Sequence, residues 1–116
     1  MAIDKEHIIK MVEESLPKFD FIMREDYEIG ATFIFSDLAN YTEKNKDNQK
    51  ILPKIADIIQ KSWDEGDEDI KNFVMVSYFE HLSDTTYKKI SKYLDDKLRK
   101  ISSDYIKSWK AFHNSK

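Results

Sequence analysis

The sequence predicts an all-α protein, and three observations lead to that class. The chain of 116 residues contains two glycines and two prolines, few of the residues that usually interrupt helices. Apolar residues recur at intervals of three and four over most of its length, as they do on one face of a helix. Hydrophobic residues make up 41% of the chain, which is enough to bury a core. We therefore expect residues 1–116 to form a single domain, a compact helical bundle of five to seven helices.

The first third of the chain predicts helices joined by an extended connector. Asp4 suits the N-cap of a first helix over residues 4–16. Helical spacing of aromatic and apolar residues predicts a short second helix over 19–27. The β-branched and aromatic stretch 31–35 has no second strand to pair with, so we expect a buried extended connector there. Ser36 then suits the N-cap of the next helix.

The middle of the chain predicts two further helices after a polar loop at 43–48. The first of them covers about 49–63, with Pro53 in its first turn and Gly66 as its stop. The second begins at the capping residue Asp67, and its apolar side chains point in nearly every direction around the axis. We expect this helix, near residues 67–82, to be the buried centre of the fold.

The last third of the chain begins at Ser83–Asp84 and contains a long apolar seam in helical phase. The polar stretch 102–104 favours a break that divides the seam into two helices. The seam consists of Tyr87, Ile90, Leu94, Leu98, Ile101, Tyr105, Trp109 and Phe112.

The sequence contains no strong catalytic or metal-binding motif. It has no cysteine, which excludes disulfides, thiolate metal ligands and thiol nucleophiles. The three histidines, His7, His81 and His113, are isolated, and Asp4-x-x-His7 is a single partial match to the Glu-x-x-His pairs of di-iron bundles. Glycine-rich phosphate loops and serine-nucleophile motifs are also absent. We expect a protein that is not an enzyme and that has no catalytic residue, metal or cofactor.

Hydropathy predicts a cytoplasmic protein with no membrane association. No stretch approaches the roughly 18 apolar residues that span a bilayer, and the first residues lack the basic and apolar regions of a secretory signal.

A dense acidic run lies between the two middle helices. It fails as an EF-hand, because a loop counted from Asp64 has Asp69 at the glycine position and Met75 at the glutamate position. Its second half suits the first turn of the next helix, but Asp64 and Glu65 lie at a helix C-terminus, where the dipole disfavours them. We therefore predict a partner-binding surface here, called the acidic corner, formed by Asp64, Glu65, Asp67, Glu68 and Asp69.

Charge is distributed unevenly although the net charge is only −3. Residues 1–82 carry 10 basic and 18 acidic side chains, whereas residues 83–116 carry 9 basic and 4 acidic ones. Nucleic acid is disfavoured as a partner, because the aromatic residues of the basic third lie on the inward seam and the acidic body would repel phosphate. The polarity instead favours a charged protein partner, unless the two parts of the chain mainly pair with each other.

Three polar residues, Asn72, Ser77 and Glu80, lie among apolar neighbours in the expected central helix. A buried carboxylate needs a partner, and Arg24, Arg99 or the backbone N–H groups near Asp37 are candidates for Glu80. We expect these residues to form a buried polar network that specifies the fold.

The chain resembles a family of small uncharacterised bacterial helical proteins. The resemblance rests on 66–82, which carries a Gly-Asp pair, Asn72 and a Val-Ser-Tyr-Phe-Glu run, and on the Phe-Ser-Asp-Leu-Ala-Asn-Tyr stretch at 35–41. It carries over Asp37, Asn72, Ser77 and Glu80 as residues of the family pattern.

Small acidic proteins of this kind resemble the immunity proteins of bacterial toxin systems, including contact-dependent growth inhibition, which neutralise a usually basic toxin domain by binding it. The resemblance implies a non-enzymatic inhibitor with a cognate toxin domain as its partner. The alternative is a helical structural or regulatory interaction module with no toxin partner, a homodimer through the exposed part of the seam.

Overall fold

Six α-helices surround one apolar core in the computed structural model, which describes residues 2–16 and 18–114, with side chains up to Ala111. Within that part of the chain no strand is present, so the all-α prediction is confirmed. The Cα radius of gyration is 13.5 Å, close to the roughly 13 Å expected of one compact domain of this length. The helices are α1 (Lys5–Ser15), α2 (Thr32–Lys44), α3 (Leu52–Glu65), α4 (Glu68–Phe73), α5 (Asp84–Ser91) and α6 (Asp96–Asn114).

The predicted central helix is buried, but it is not one regular helix. α4 continues without a loop into a π-helical turn, Val74–Tyr78, and then a 3₁₀ turn, Phe79–His81. In the π turn the N–H of Phe79 reaches the carbonyls of both Val74 and Met75. The wider turn allows three consecutive residues, 77–79, to be buried together. We call residues 68–81 the central segment.

Several helix ends follow local capping rules, as the sequence predicts. The carboxylates of Asp4 and Asp67 accept the N–H groups of His7 and Ile70, and the Ser83 hydroxyl accepts that of Thr86. Pro53 lies in the first turn of α3, and Gly66 follows its last residue.

The expected extended connector at 31–35 is wrong, because α2 begins at Thr32. Ser36 does not cap a helix either; it lies inside α2, and its hydroxyl donates to the Thr32 carbonyl at 3.1 Å. Ile34, Phe35 and Leu38 are completely buried on one face of this helix. Their burial against the core outweighs the β-preference of the local sequence.

The expected helix over 19–27 is also wrong, since this segment contains only a 3₁₀ turn, Arg24–Asp26. Side chains from two helices satisfy its backbone groups instead. The Asp37 carboxylate accepts the Met23 N–H at 2.9 Å, and the Lys5 ammonium donates to the carbonyls of Tyr27 and Glu28 at 3.1 and 3.2 Å.

The break in the C-terminal seam lies at 92–95 and not at the expected 102–104. Ser102 is buried inside α6, where its hydroxyl donates to the Arg99 carbonyl at 3.2 Å and lies 2.6 Å from the Tyr87 hydroxyl. Asp95 marks the true start, because its carboxylate accepts the N–H of Leu98 at 2.8 Å.

Candidate functional site

All five side chains of the acidic corner are exposed, but the structure does not bring them into one cluster. The carboxylate of Asp64 accepts the side-chain amide of Gln60 at 3.1 Å, and the same amide reaches Asp95 before α6. Glu65 lies beside the N-terminal residues of α1 in a separate cleft. The corner therefore has several faces.

Asp67 and Asp69 share a shallow cleft with an aspartate that the sequence did not connect with them. The N–H of Ile3 donates to the Glu65 carbonyl at 2.9 Å, and Ile3 and Gly66 form an isolated parallel bridge. This bridge aligns the two chain segments that lead into α1 and α4, so both capping aspartates, Asp4 and Asp67, lie on one cleft.

Gly66 lies at the junction between α3 and α4, where no larger residue fits. A Cβ atom at this position would lie 2.4 Å from the Ser62 carbonyl oxygen and 2.4 Å from Cγ2 of Ile70, far closer than van der Waals contact. A larger residue would therefore disturb the start of α4, which contributes Ile70 to the cleft.

The cleft has a volume of about 310 Å³ and combines an acidic rim with apolar walls. Asp4, Asp67 and Asp69 supply three carboxylates against the one ammonium of Lys5, so the rim is negative on balance. Ile70 and Phe73 are among the apolar residues that line the cleft. Ile29 stands beside them with its side chain 76% exposed. An exposed apolar side chain inside an acidic rim is typical of a protein-docking surface. We call this surface the acidic cleft, formed by Asp4, Ile29, Asp67, Asp69, Ile70 and Phe73.

Sequence reasoning missed Ile29 and Asp4 as residues of the site. Ile29 precedes Gly30 and was expected to follow a helix that does not form. Ile29 lies just outside the apolar helical pattern of residues 19–27, and this position was the one sequence feature that could have indicated its exposure. Nothing in the spacing of Asp4 and Asp67 shows that the two N-caps are neighbours, because the Ile3–Gly66 bridge joins residues far apart in sequence.

Asp37, a residue of the family pattern, and Ser77, a residue of the expected polar network, are both buried. Asp37 accepts the Tyr27 hydroxyl at 2.6 Å in addition to the Met23 N–H, while its second oxygen has no partner among the described residues. Burial and the hydrogen bond to Asp37 raise the pKa of Tyr27 well above its usual range. The hydroxyl of Ser77 pairs with that of Thr32 and fastens the central segment to α2.

The other two members of the expected network are placed differently. Asn72 is exposed, so the expectation of burial is wrong for it, and Glu80 is only partly buried. The partner of Glu80 is the Tyr105 hydroxyl at 2.7 Å, whereas Arg99 pairs with Asp96 and Arg24 approaches Glu13. Burial, followed by the hydrogen bond to Glu80, raises the pKa of Tyr105 to about 12.

The histidines of the described residues lie apart from one another. They contain no group of three or more histidine, aspartate or glutamate side chains arranged to hold a metal ion. His7 is exposed and is bound through Nδ1 to Asp4 at 2.8 Å, and His81 is exposed on the 3₁₀ turn. The side chain of His113 lies outside the described part of the chain.

The acidic body and the basic last third do not neutralise each other extensively. In the described part of the chain, Lys89–Asp47 is the ion pair that joins them. Other basic groups of the last third pair within it, as in Lys110–Asp84 and Lys100–Asp104. The charge polarity of the sequence therefore persists at the protein surface.

Comparison with known proteins identifies a family. The family described as Domain of unknown function (DUF7674) matches residues 6–110, which include most of all six helices. No curated protein and no solved structure gives a significant match. Among the described helices, none is long and apolar enough to span a bilayer. Because the match extends over nearly the whole fold, the chain belongs to the DUF7674 family.

Proposed function

We propose that this chain is a bacterial immunity protein that binds and neutralises a cognate basic toxin domain in the cytoplasm. It acts by covering the toxin and not by catalysis. The observation that carries the proposal is the acidic cleft, in which the exposed Ile29 lies together with carboxylates from two helix starts.

The two components of this surface have different physical roles. Carboxylates on a rim accelerate association with a basic partner and reject acidic ones, but each adds little affinity because it remains solvated. An apolar side chain that becomes buried in the complex supplies affinity, since it is removed from water. The acidic cleft offers both at one place.

The charge polarity supports the same kind of partner. Only limited pairing joins the acidic body to the last third of the chain, so the body presents a negative field to an approaching protein. A basic nuclease-type toxin domain would be attracted to the acidic corner and oriented with its positive face toward the cleft. Asp67 and Asp69 belong to both the acidic corner and the cleft, so the corner adds negative charge around the docking surface.

The test first searches the genes beside the one for this chain for a toxin domain, and then mixes that domain with the purified protein in stopped flow. One variant neutralises Asp64, Glu65, Glu68 and Asp69 as the corresponding amides and retains Asp67, because Asp67 caps α4. A matched control neutralises four exposed acids elsewhere, Asp47, Asp57, Asp96 and Asp104.

We expect the acidic-corner variant to associate about tenfold more slowly at low salt, with the difference shrinking as salt is added. The control should lose much less, although its net charge is the same. Equal association rates for the two variants would show that the acidic corner is not the docking surface.

A further inference from the structure

Two of the large apolar side chains exposed in the described residues lie in one segment, 18–31, between α1 and α2. Ile22 is 55% exposed and Ile29 is 76% exposed. The segment contains one 3₁₀ turn and no longer helix. Connections of about 12–15 residues without much secondary structure are uncommon in compact domains and are usually functional.

Side chains of α1 and α2 form hydrogen bonds to this segment, although its backbone is irregular. The buried Asp37 carboxylate binds both the Met23 N–H and the Tyr27 hydroxyl. On the other side, Lys5 binds the carbonyls of Tyr27 and Glu28, immediately before Ile29. Tyr27 is buried and the residues on either side of these anchors project outward, so the exposed isoleucines are presented on a fixed backbone.

Burying the carboxyl group of Asp37 in the core has a cost. Its second oxygen is buried without a hydrogen-bond partner among the described residues, and unpaired buried polar atoms are unfavourable. Packing alone therefore does not account for an aspartate here. Its two hydrogen bonds reach the segment 18–31, which indicates that the position of this segment is what Asp37 secures.

We propose that residues 18–31 form the recognition loop of the toxin-binding surface, with Ile22 and Ile29 as apolar anchors and Asp37 as the residue that positions them. The inference rests on the proposed function and specifies how the same surface obtains its affinity.

The charges of the loop indicate that its binding partner is a basic protein surface, and the exposed isoleucines indicate that this surface has an apolar recess. Its acidic residues are Asp20, Glu25, Asp26 and Glu28, against two basic ones. One of those two, Arg24, lies over the ring of Phe21, 4.8 Å from its centroid, and 3.9 Å from Glu13. The net charge of the loop is therefore negative. The acidic cleft, which contains Ile29, is negative as well, because its three carboxylates outnumber the ammonium of Lys5.

The anchors are tested by measuring dissociation of the toxin domain encoded beside this gene. Ile29→Ser is compared with Tyr93→Ser, which removes another exposed large side chain, 41% accessible, from a connection with basic neighbours. We expect Ile29→Ser to weaken binding about 10- to 100-fold, mainly through faster dissociation. Tyr93→Ser should leave binding unchanged.

A double-mutant cycle separates positioning by Asp37 from general destabilisation. If Asp37 acts through Ile29, Asp37→Ala should weaken binding strongly in the wild type and little further in an Ile29→Ala background. Asp37→Asn retains an acceptor oxygen and should restore most of the affinity. If Asp37→Ala does not fold, Tyr27→Phe takes its place in the cycle, because it removes the hydroxyl that donates to Asp37.

Hydrogen exchange supplies a measurement on the free protein. The Met23 amide should be protected in the wild type and should exchange faster in Asp37→Ala than in Asp37→Asn.

The outcomes distinguish the two proposals. If the wild type does not bind the toxin domain, the proposed function and this inference both fail. If it binds and Ile29→Ser binds equally tightly, only the recognition loop is wrong. Equal losses from Asp37→Ala in both backgrounds would overturn the positioning role of Asp37.

Discussion

Replacing Gly66 by alanine should destabilise the protein far more than the same change at Gly30. At Gly66 the new Cβ would lie 2.4 Å from the Ser62 carbonyl oxygen and 2.7 Å from Cβ of Ile70. The backbone would have to move by roughly 1 Å to restore normal contact, and overpacking of this kind costs about 1–3 kcal/mol. Because one of the clashing atoms belongs to the backbone, we expect a cost near the upper end, about 3 kcal/mol.

Thermal unfolding followed by circular dichroism measures this cost. For a domain of this size about 3 kcal/mol corresponds to a fall in Tm of roughly 10 °C. At Gly30 the nearest atom to a new Cβ is Cγ2 of Thr32 at 4.0 Å, and neither glycine has a positive φ. Gly30→Ala should therefore change stability by less than about 1 kcal/mol. Similar Tm values for the two variants would refute the close packing of Gly66 against Ser62 and Ile70.

Three further predictions concern buried hydrogen bonds and assembly. Partial burial alone would raise the pKa of Glu43, but hydrogen bonds from Thr86 and Ser83 hold the pKa below its usual range. Glu43→Gln should therefore lower the free energy of unfolding by about 1 kcal/mol at neutral pH, measured with denaturant. The difference in unfolding free energy between variant and wild type should vanish as the pH falls through the pKa of folded Glu43. A difference that stays the same in acid would contradict this. Tyr78→Phe should cost about 1 kcal/mol in the same assay, because the Thr42 hydroxyl, 2.9 Å away, loses its donor; an unchanged midpoint would show that this bond adds nothing. Sedimentation at micromolar concentration should show a monomer, because the first half of the C-terminal seam is buried within the chain; a dimer would favour the interaction-module alternative.

Local capping signals predicted several helix ends well. Asp4 and Asp67 cap the helices that the sequence assigned to them, because an N-cap hydrogen bond depends on a few neighbouring residues. Burial of the central segment was also predictable, since apolar side chains point around its whole axis. The π turn within it was not, as nothing local distinguishes Val74–Tyr78 from an ordinary helix.

The errors occur where distant side chains decide the backbone conformation. The helix expected over 19–27 is replaced by a loop because Lys5 and Asp37 satisfy its backbone groups, and neither contact is visible from helical periodicity. The stretch 31–35 becomes part of α2 because Ile34 and Phe35 are buried by the core. The start of α6 at Asp95 was a readable capping signal that the polar stretch 102–104 obscured.

The acidic residues of the candidate site could be predicted from the sequence, but the cleft that they line could not. The acidic corner was evident from its sequence, whereas the acidic cleft depends on the Ile3–Gly66 bridge between the two ends of the acidic body. Ile29 became a candidate only when its exposure was seen.

Growth rescue tests the central claim most directly, because it needs no knowledge of the toxin's activity. Cells expressing the toxin domain encoded beside this gene should stop growing, and co-expression of the wild-type chain should restore growth. A chain with both Ile29→Ser and the neutralised acidic corner should fail to restore it at equal abundance. If the wild-type chain does not restore growth, or if the doubly altered chain restores it fully, neutralisation through this surface is contradicted.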